Sequence, residues 1–113
     1  MIKNLLKETI DELKAYEKTG DDVLWVGRDY IKWDRSYTNP ERIVYKSTWK
    51  DFCSKADFDY DAGYGSAEIP MDLVIVGKDF WLERCEYDGS EWWEFKTMPI
   101  EPKETRELNL KEQ

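Results

Sequence analysis

The sequence predicts an α+β fold: an antiparallel sheet of four to six strands covered by an N-terminal helix and a short second helix. Three observations point there. The stretch Asp72 to Lys96, DLVIVGKDFWLERCEYDGSEWWEFK, holds three apolar and aromatic runs split by two short Gly-containing turns, the composition of a half-buried three-stranded meander. Ile2, Leu5, Leu6, Thr9, Ile10, Leu13 and Tyr16 recur at helical spacing, marking one apolar helix face. Finally, 113 residues with seventeen aromatics, six of them Trp, suffice for one core without disulfide or metal staples. Residues 1–102 read as a single domain and 103–113 as a charged tail.

In chain order, the first helix should run from about residue 2 to 18 and stop at Thr19-Gly20, where Gly can take the left-handed C-terminal conformation. Asp22–Val26 predicts a strand, Gly27-Arg28-Asp29 a turn, and Tyr30–Trp33 the returning hairpin strand. Asp34 to Glu41, with Asn39-Pro40, reads as a loop, and Arg42–Tyr45 as a short strand. Ser47 is the expected N-cap of the second helix, whose apolar face is Trp49, Phe52, Cys53 and Ala56. Asp57–Met71 is a loop leading into the meander. In the last hairpin, a two-residue turn at Asp88-Gly89 sets Arg84 opposite Trp93, and also faces Glu83 with Glu94 and Glu86 with Glu91, pairs of like charge that are unfavourable. A three-residue turn instead sets Arg84 opposite Glu94. Both registers stay open. Pro99 and Pro102 end the pairing, since Pro has no N–H to donate to a ladder.

Composition narrows the chemistry. The chain has no His, which removes Ser-His and Cys-His nucleophiles, imidazole bases and His-containing metal sites. Cys53 and Cys85 lack metal or redox spacing and read as reduced thiols. No apolar run approaches 18 residues and no signal-peptide core follows Met1, so neither a membrane span nor export is expected, and a cytoplasmic location is. The net charge of -8 is uneven: residues 51–94 carry twelve acids against Lys55, Lys78 and Arg84. Such a field repels nucleic acid and attracts basic surfaces.

Three patterns carry functional readings. Asp57, Asp59, Asp61 and Glu68 match positions 1, 3, 5 and 12 of an EF-hand calcium loop. The match fails where backbone geometry matters: position 6 is Ala62 rather than Gly, position 8 is Tyr64, and Pro70 blocks the exiting helix. A solvated acidic turn is the plainer reading, and no cofactor is assigned. Glu83, Glu86, Glu91 and Glu94 beside Trp81, Trp92 and Tyr87 hold the ingredients of a small carboxylate hydrolase, two acids and an aromatic platform, though no cleft is predicted. The alternative is a structural role in which aromatics fill the core and acids keep the strands soluble. The third reading is a binding surface: carboxylates at strand spacing can reproduce the charge rows of a phosphate backbone, and exposed Trp and Tyr are favoured anchors.

The motif Trp81-Leu82-Glu83-Arg84-x-Glu86-Tyr87-Asp88-Gly89-Ser90-Glu91-Trp92-Trp93-Glu94-Phe95-Lys96 resembles a family of small uncharacterised proteins encoded by phages and prophages. The likeness extends through Asp59-Tyr60-Asp61-Ala62-Gly63-Tyr64-Gly65, Asp72–Val76 and Val23–Gly27, about half of the chain. Residues Arg35 to Lys46 depart from it as an insertion. The family has no assigned activity, so no catalytic residue carries over. Small acidic phage proteins often resemble inhibitors of host defence nucleases, including anti-CRISPR proteins that mimic nucleic acid. The resemblance therefore implies a non-enzymatic inhibitor in the host cytoplasm, with a basic host protein such as a CRISPR effector nuclease as partner. Asp57, Asp59, Asp61, Glu68, Glu83, Glu86, Asp88, Glu91 and Glu94 would supply charge, and Trp81, Tyr87 and Trp92 anchors. An exposed sheet edge could also support a homodimer.

Overall fold

The N-terminal segment does not begin as a helix. In the computed structural model, which describes residues 1–63 and 65–113, Ile2–Asn4 form a strand, β1, and helix α1 spans Leu5–Ala15. Asn4 explains the boundary, because its side chain accepts the Lys7 N–H at 2.9 Å and caps the helix. The helix also ends before Gly20. Glu17 takes the left-handed conformation at φ 59°, and Tyr16 stacks on Phe95 with ring centroids 4.0 Å apart. After a 3₁₀ turn at Gly20–Asp22, β2 spans Val23–Trp33 and β3 Pro40–Ser47. Helix α2 follows at Trp49–Lys55, capped by Thr48 rather than Ser47. The remaining strands are β4 (Asp59–Asp61), β5 (Val74–Gly77), β6 (Phe80–Tyr87) and β7 (Ser90–Thr97).

These strands form a five-stranded antiparallel sheet in the order β3-β2-β5-β6-β7 and a separate β1-β4 pair. The α+β reading of the sequence is therefore right, with five strands in the main sheet. The predicted turn at Gly27-Arg28-Asp29 is not there; β2 runs straight through it. Gly27 is buried in mid-strand, and a Cβ there would meet the Tyr45 carbonyl oxygen at 2.5 Å and the Trp25 ring at 2.9 Å. Close packing, not chain reversal, calls for glycine at this point. The reversal comes at 34–39, where the Asp34 carboxylate accepts the Thr38 N–H and the Asn39 amide at 2.9 and 2.6 Å.

The last hairpin has the two-residue turn. Asp88 and Gly89 both have positive φ, 50° and 83°, as a type I′ turn requires. Arg84 pairs with Trp93, Glu83 with Glu94, and Glu86 with Glu91. Alternation then directs Phe80, Leu82, Arg84, Glu91, Trp93 and Phe95 to the face beneath α1. That face meets Leu5, Leu13, Phe52, Ala56, Tyr60 and Ile69 in one core. The opposite face, with Trp25, Val74, Val76, Trp81 and Trp92, has no second layer over it among the described residues.

Beyond Gly27, β2 loses β5 as a neighbour and continues with β3 as a two-stranded arm. At the other end, residues 98–113 follow β7 without a helix or strand. Arm and tail raise the radius of gyration to 17.4 Å, against about 13 Å for a compact chain of this length.

Bonds from Thr38 and Asn39 hold the Asp34 carboxyl well below the ordinary Asp range. A depressed folded pKa contributes stability above the unfolded value of about 3.9 and loses it as pH falls through the folded value. Amide NMR signals of Thr38 and Asn39 should accordingly titrate with a midpoint clearly below that value; a midpoint at the ordinary value would show that the carboxylate does not hold the tip.

Candidate functional site

An arginine inside the core organises the acidic end of the molecule. Arg84 has a fully buried side chain and lies over the Trp93 ring at 4.8 Å. Its Nη2 donates to Glu91 Oε1 and to the Tyr60 hydroxyl, both at 3.0 Å, and its Nη1 to Glu8 Oε1 at 3.3 Å. Tyr60 in turn donates to the same Glu8 oxygen at 2.6 Å. Burial works against the Arg84 charge, but Tyr60, Glu8 and Glu91 outweigh it and raise its pKa. Burial and the Glu8 bond push the Tyr60 phenol up, keeping it a neutral donor.

Glu91 reaches further. Its two oxygens accept the backbone N–H groups of Glu68 and Ile69 at 2.7 and 3.1 Å, while its own N–H donates to the Ala62 carbonyl at 2.9 Å. One buried carboxylate thus ties the loop after β4 to the start of β7. The β6–β7 turn abuts the same loop, since a Cβ on Gly89 would lie 3.4 Å from the Gly65 carbonyl oxygen.

The sequence-derived site residues separate into three groups. Glu91 is 2% exposed and belongs to the core; its expected role as a surface charge is wrong, because burying Arg84 requires a buried counter-ion. Trp81, Glu83, Trp92 and Glu94 lie half-buried on the open sheet face. There Lys96 sits 3.7 Å from Glu83 and 3.1 Å from Glu94, which relieves the cross-strand repulsion and removes much of the local negative field. Glu68, Glu86, Tyr87 and Asp88 are exposed on or beside the loop and turn. Asp57, two residues before β4, and Asp59, its first residue, are also exposed, and both accept from the Asn4 amide at 2.9 and 3.3 Å. Asp61 pairs with the N-terminal amine at 2.9 Å, which with the Gly63 N–H lowers its pKa. Among the described residues, Asp57, Asp59, Glu68, Glu86 and Asp88 have no cation within 4 Å. Glu68, Glu86 and Asp88 form an acidic rim where the β6–β7 turn meets the loop after β4, and Asp57 and Asp59 make a second acidic pair at Asn4.

No family model, curated protein or solved structure matches this chain.

Asp59 and Asp61 lie on an extended strand paired with β1, unlike the coiled loop a calcium cage needs. Among the described residues no three acidic or Cys side chains converge on a point that could hold a metal ion. Tyr64, position 8 of the candidate calcium loop, lies outside the described residues. For carboxylate catalysis, one acid must be held protonated. Glu94 moves the other way, its pKa lowered by Lys96, Cys85 and Trp92. A recess of about 530 Å³ over Val26, Phe52, Ile69 and Leu73 also reaches Asp51, whose pKa Ser47 and Lys55 likewise lower. Burial raises both thiols, Cys53 and Cys85, away from the thiolate a nucleophile needs.

Removing one partner of a buried ion pair strands the other and costs roughly 3–5 kcal/mol. Glu91→Ala should destabilise the fold by about that amount in urea unfolding, whereas Glu86→Ala, its exposed cross-strand neighbour, should stay within about 0.5 kcal/mol. Equal effects would contradict the assignment of Glu91 to the core.

Proposed function

We propose that this chain is a non-enzymatic interaction protein whose acidic rim docks on a basic, nucleic-acid-handling host protein and occupies the surface that protein offers to phosphate. The observation that carries the reading is the meeting of the β6–β7 turn with the loop after β4, which places Glu68, Glu86 and Asp88 side by side without cations. Asp57 and Asp59, gathered on the Asn4 amide where the chain enters β4, add to this charge, and Tyr87, 76% exposed, supplies an aromatic anchor at the turn. The buried Glu91 holds the backbone at Glu68 and Ile69, so this part of the rim needs no further backbone ordering on binding. Resemblance to phage-encoded proteins favours a defence nuclease as the target, with the guide-holding channel of a CRISPR effector as the matching positive surface. The open sheet face, where Lys96 offsets Glu83 and Glu94, is secondary in this arrangement.

Charge-steered association weakens with salt. Binding to a CRISPR effector nuclease, measured by calorimetry, should weaken at least about tenfold between low and high salt. Reversal of Asp59, Glu68, Glu86 and Asp88 to Lys should abolish it, while reversal of Glu83 and Glu94 has a smaller effect. Salt-indifferent binding, or binding that survives the rim reversal, would overturn the proposal.

A further inference from the structure

The main sheet has a gap at one end. β2 and β6 flank β5 and run in the same direction, with Gly27 and Glu83 level through Val74. β5 begins at that level, because the chain ahead of it turns away, the Leu73 N–H donating to the Pro70 carbonyl at 3.2 Å. Its two neighbours continue, β2 to Trp33 and β6 to Tyr87, for about 20 and 13 Å at 3.3 Å per residue. Strands that share one neighbour lie two strand spacings apart, roughly 10 Å, so the gap is one strand wide where β5 stops. A hollow of about 620 Å³ opens there, with Trp25, Asp29, Val44, Val74, Glu83 and Arg84 in its lining.

Both walls of the gap present unused backbone groups. The two-residue turn makes Tyr87 and Ser90 a hydrogen-bonded pair, and antiparallel alternation makes Cys85–Trp92 and Glu83–Glu94 pairs of the same kind. The β6 residues between them turn the other way. Leu82 therefore bonds Ile75, while the Arg84 carbonyl and both backbone groups of Glu86 point into the gap. By the same alternation Val74 bonds Gly27, and Asp29, Ile31 and Trp33 direct their N–H and C=O groups into the gap from β2. None of these gap-facing groups has a backbone partner among the described residues. Edges of this kind accept a further strand.

Side chains around the gap select what enters. On the open sheet face its neighbours are Trp25, Ile31, Val44 and Val74. Asp29 is matched there by Arg42, and Glu83 by Lys96. On the other face Glu86 stands across the gap from Tyr30, exposed and without a salt-bridge partner among the described residues, as is Asp88 at the turn. Successive side chains of a strand alternate between faces, so the fitting strand is apolar on one side and basic on the other.

We propose that this gap is a β-strand acceptor: an extended segment of alternating apolar and basic residues enters in line with β5 and bonds β2 and β6 at once. The segment belongs to the basic partner proposed above, and its cations meet Glu86 and Asp88; to that extent the inference rests on the proposed function.

Amide hydrogen exchange on the full chain, with and without a capped hexapeptide of alternating Val and Arg, tests this. The peptide should slow exchange at Asp29, Ile31 and Glu86 at least about tenfold. In calorimetry the variant Ile31→Pro, which removes a donor from the β2 wall without touching the β3 ladder, should bind the peptide at least about tenfold more weakly. The same peptide N-methylated at alternate residues keeps its charge but cannot bond one wall, and should lose a similar factor on the unaltered chain. Unchanged exchange at these amides, or equal affinity for the N-methylated peptide, would overturn the proposal. A CRISPR effector nuclease that binds with the expected salt dependence but leaves Asp29, Ile31 and Glu86 unprotected would refute the strand acceptor and spare the proposed function. Peptide insertion without effector binding would do the reverse.

Discussion

The buried contact between Arg84 and Glu91 is the constraint on which the acidic end of this protein depends. A buried ion pair is weak evidence of stability, because desolvating two charges offsets most of their attraction. Its effect here is to specify an arrangement. Arg84 on β6 reaches Glu8 on α1, Tyr60 on β4 and Glu91 on β7, leaving only its Nε unpartnered among the described buried side-chain atoms. Glu91 then holds two amides of the loop. Helix, small sheet, main sheet and loop are all read against one guanidinium, and a shift in any of them would strand a charge in the core.

A second cluster fixes the helix over the sheet. Trp93 donates its indole N–H to Thr9 Oγ1 at 2.9 Å, and Thr9 donates to the Leu5 carbonyl at 2.7 Å. Thr9 is fully buried, so these bonds satisfy groups that would otherwise be costly. Tyr16, Phe95 and Phe80 extend the contact as a stack, with successive centroids 4.0 and 5.2 Å apart. The helix is thereby held along β7, and β6 and β7 can project the turn that carries Glu86, Tyr87 and Asp88.

Much of the sheet was legible in the sequence because its signals are local. The meander strands alternate apolar and polar residues, and Asp88-Gly89 carries its own turn geometry. The role of Glu91 was written in the same alternation: under a two-residue turn it shares a face with Trp93 and Phe95, and Arg84 shares that face with Leu82. Reading Glu91 as a surface charge ignored this parity. Three other features had no local signature. Gly27 resembles a turn glycine but serves a close approach between Trp25 and the Tyr45 backbone, which depends on strand pairing. β1 borrows Ile2 and Lys3 from an amphipathic pattern because β4, nearly sixty residues away in sequence, pairs with it. The arm is hidden by its own polar tip, since Asp34 to Asn39 look like a loop whether the flanking strands are short or long.

Hydrogen exchange at the backbone amides of Glu68 and Ile69 tests the central claim most directly. Both donate to a carboxylate inside the core, so they should exchange as slowly as the β6 amides around Leu82, although they belong to a segment without helix or strand. Exchange at the rate of an open loop would mean that Glu91 does not hold this segment, and the acidic rim would lose its fixed geometry.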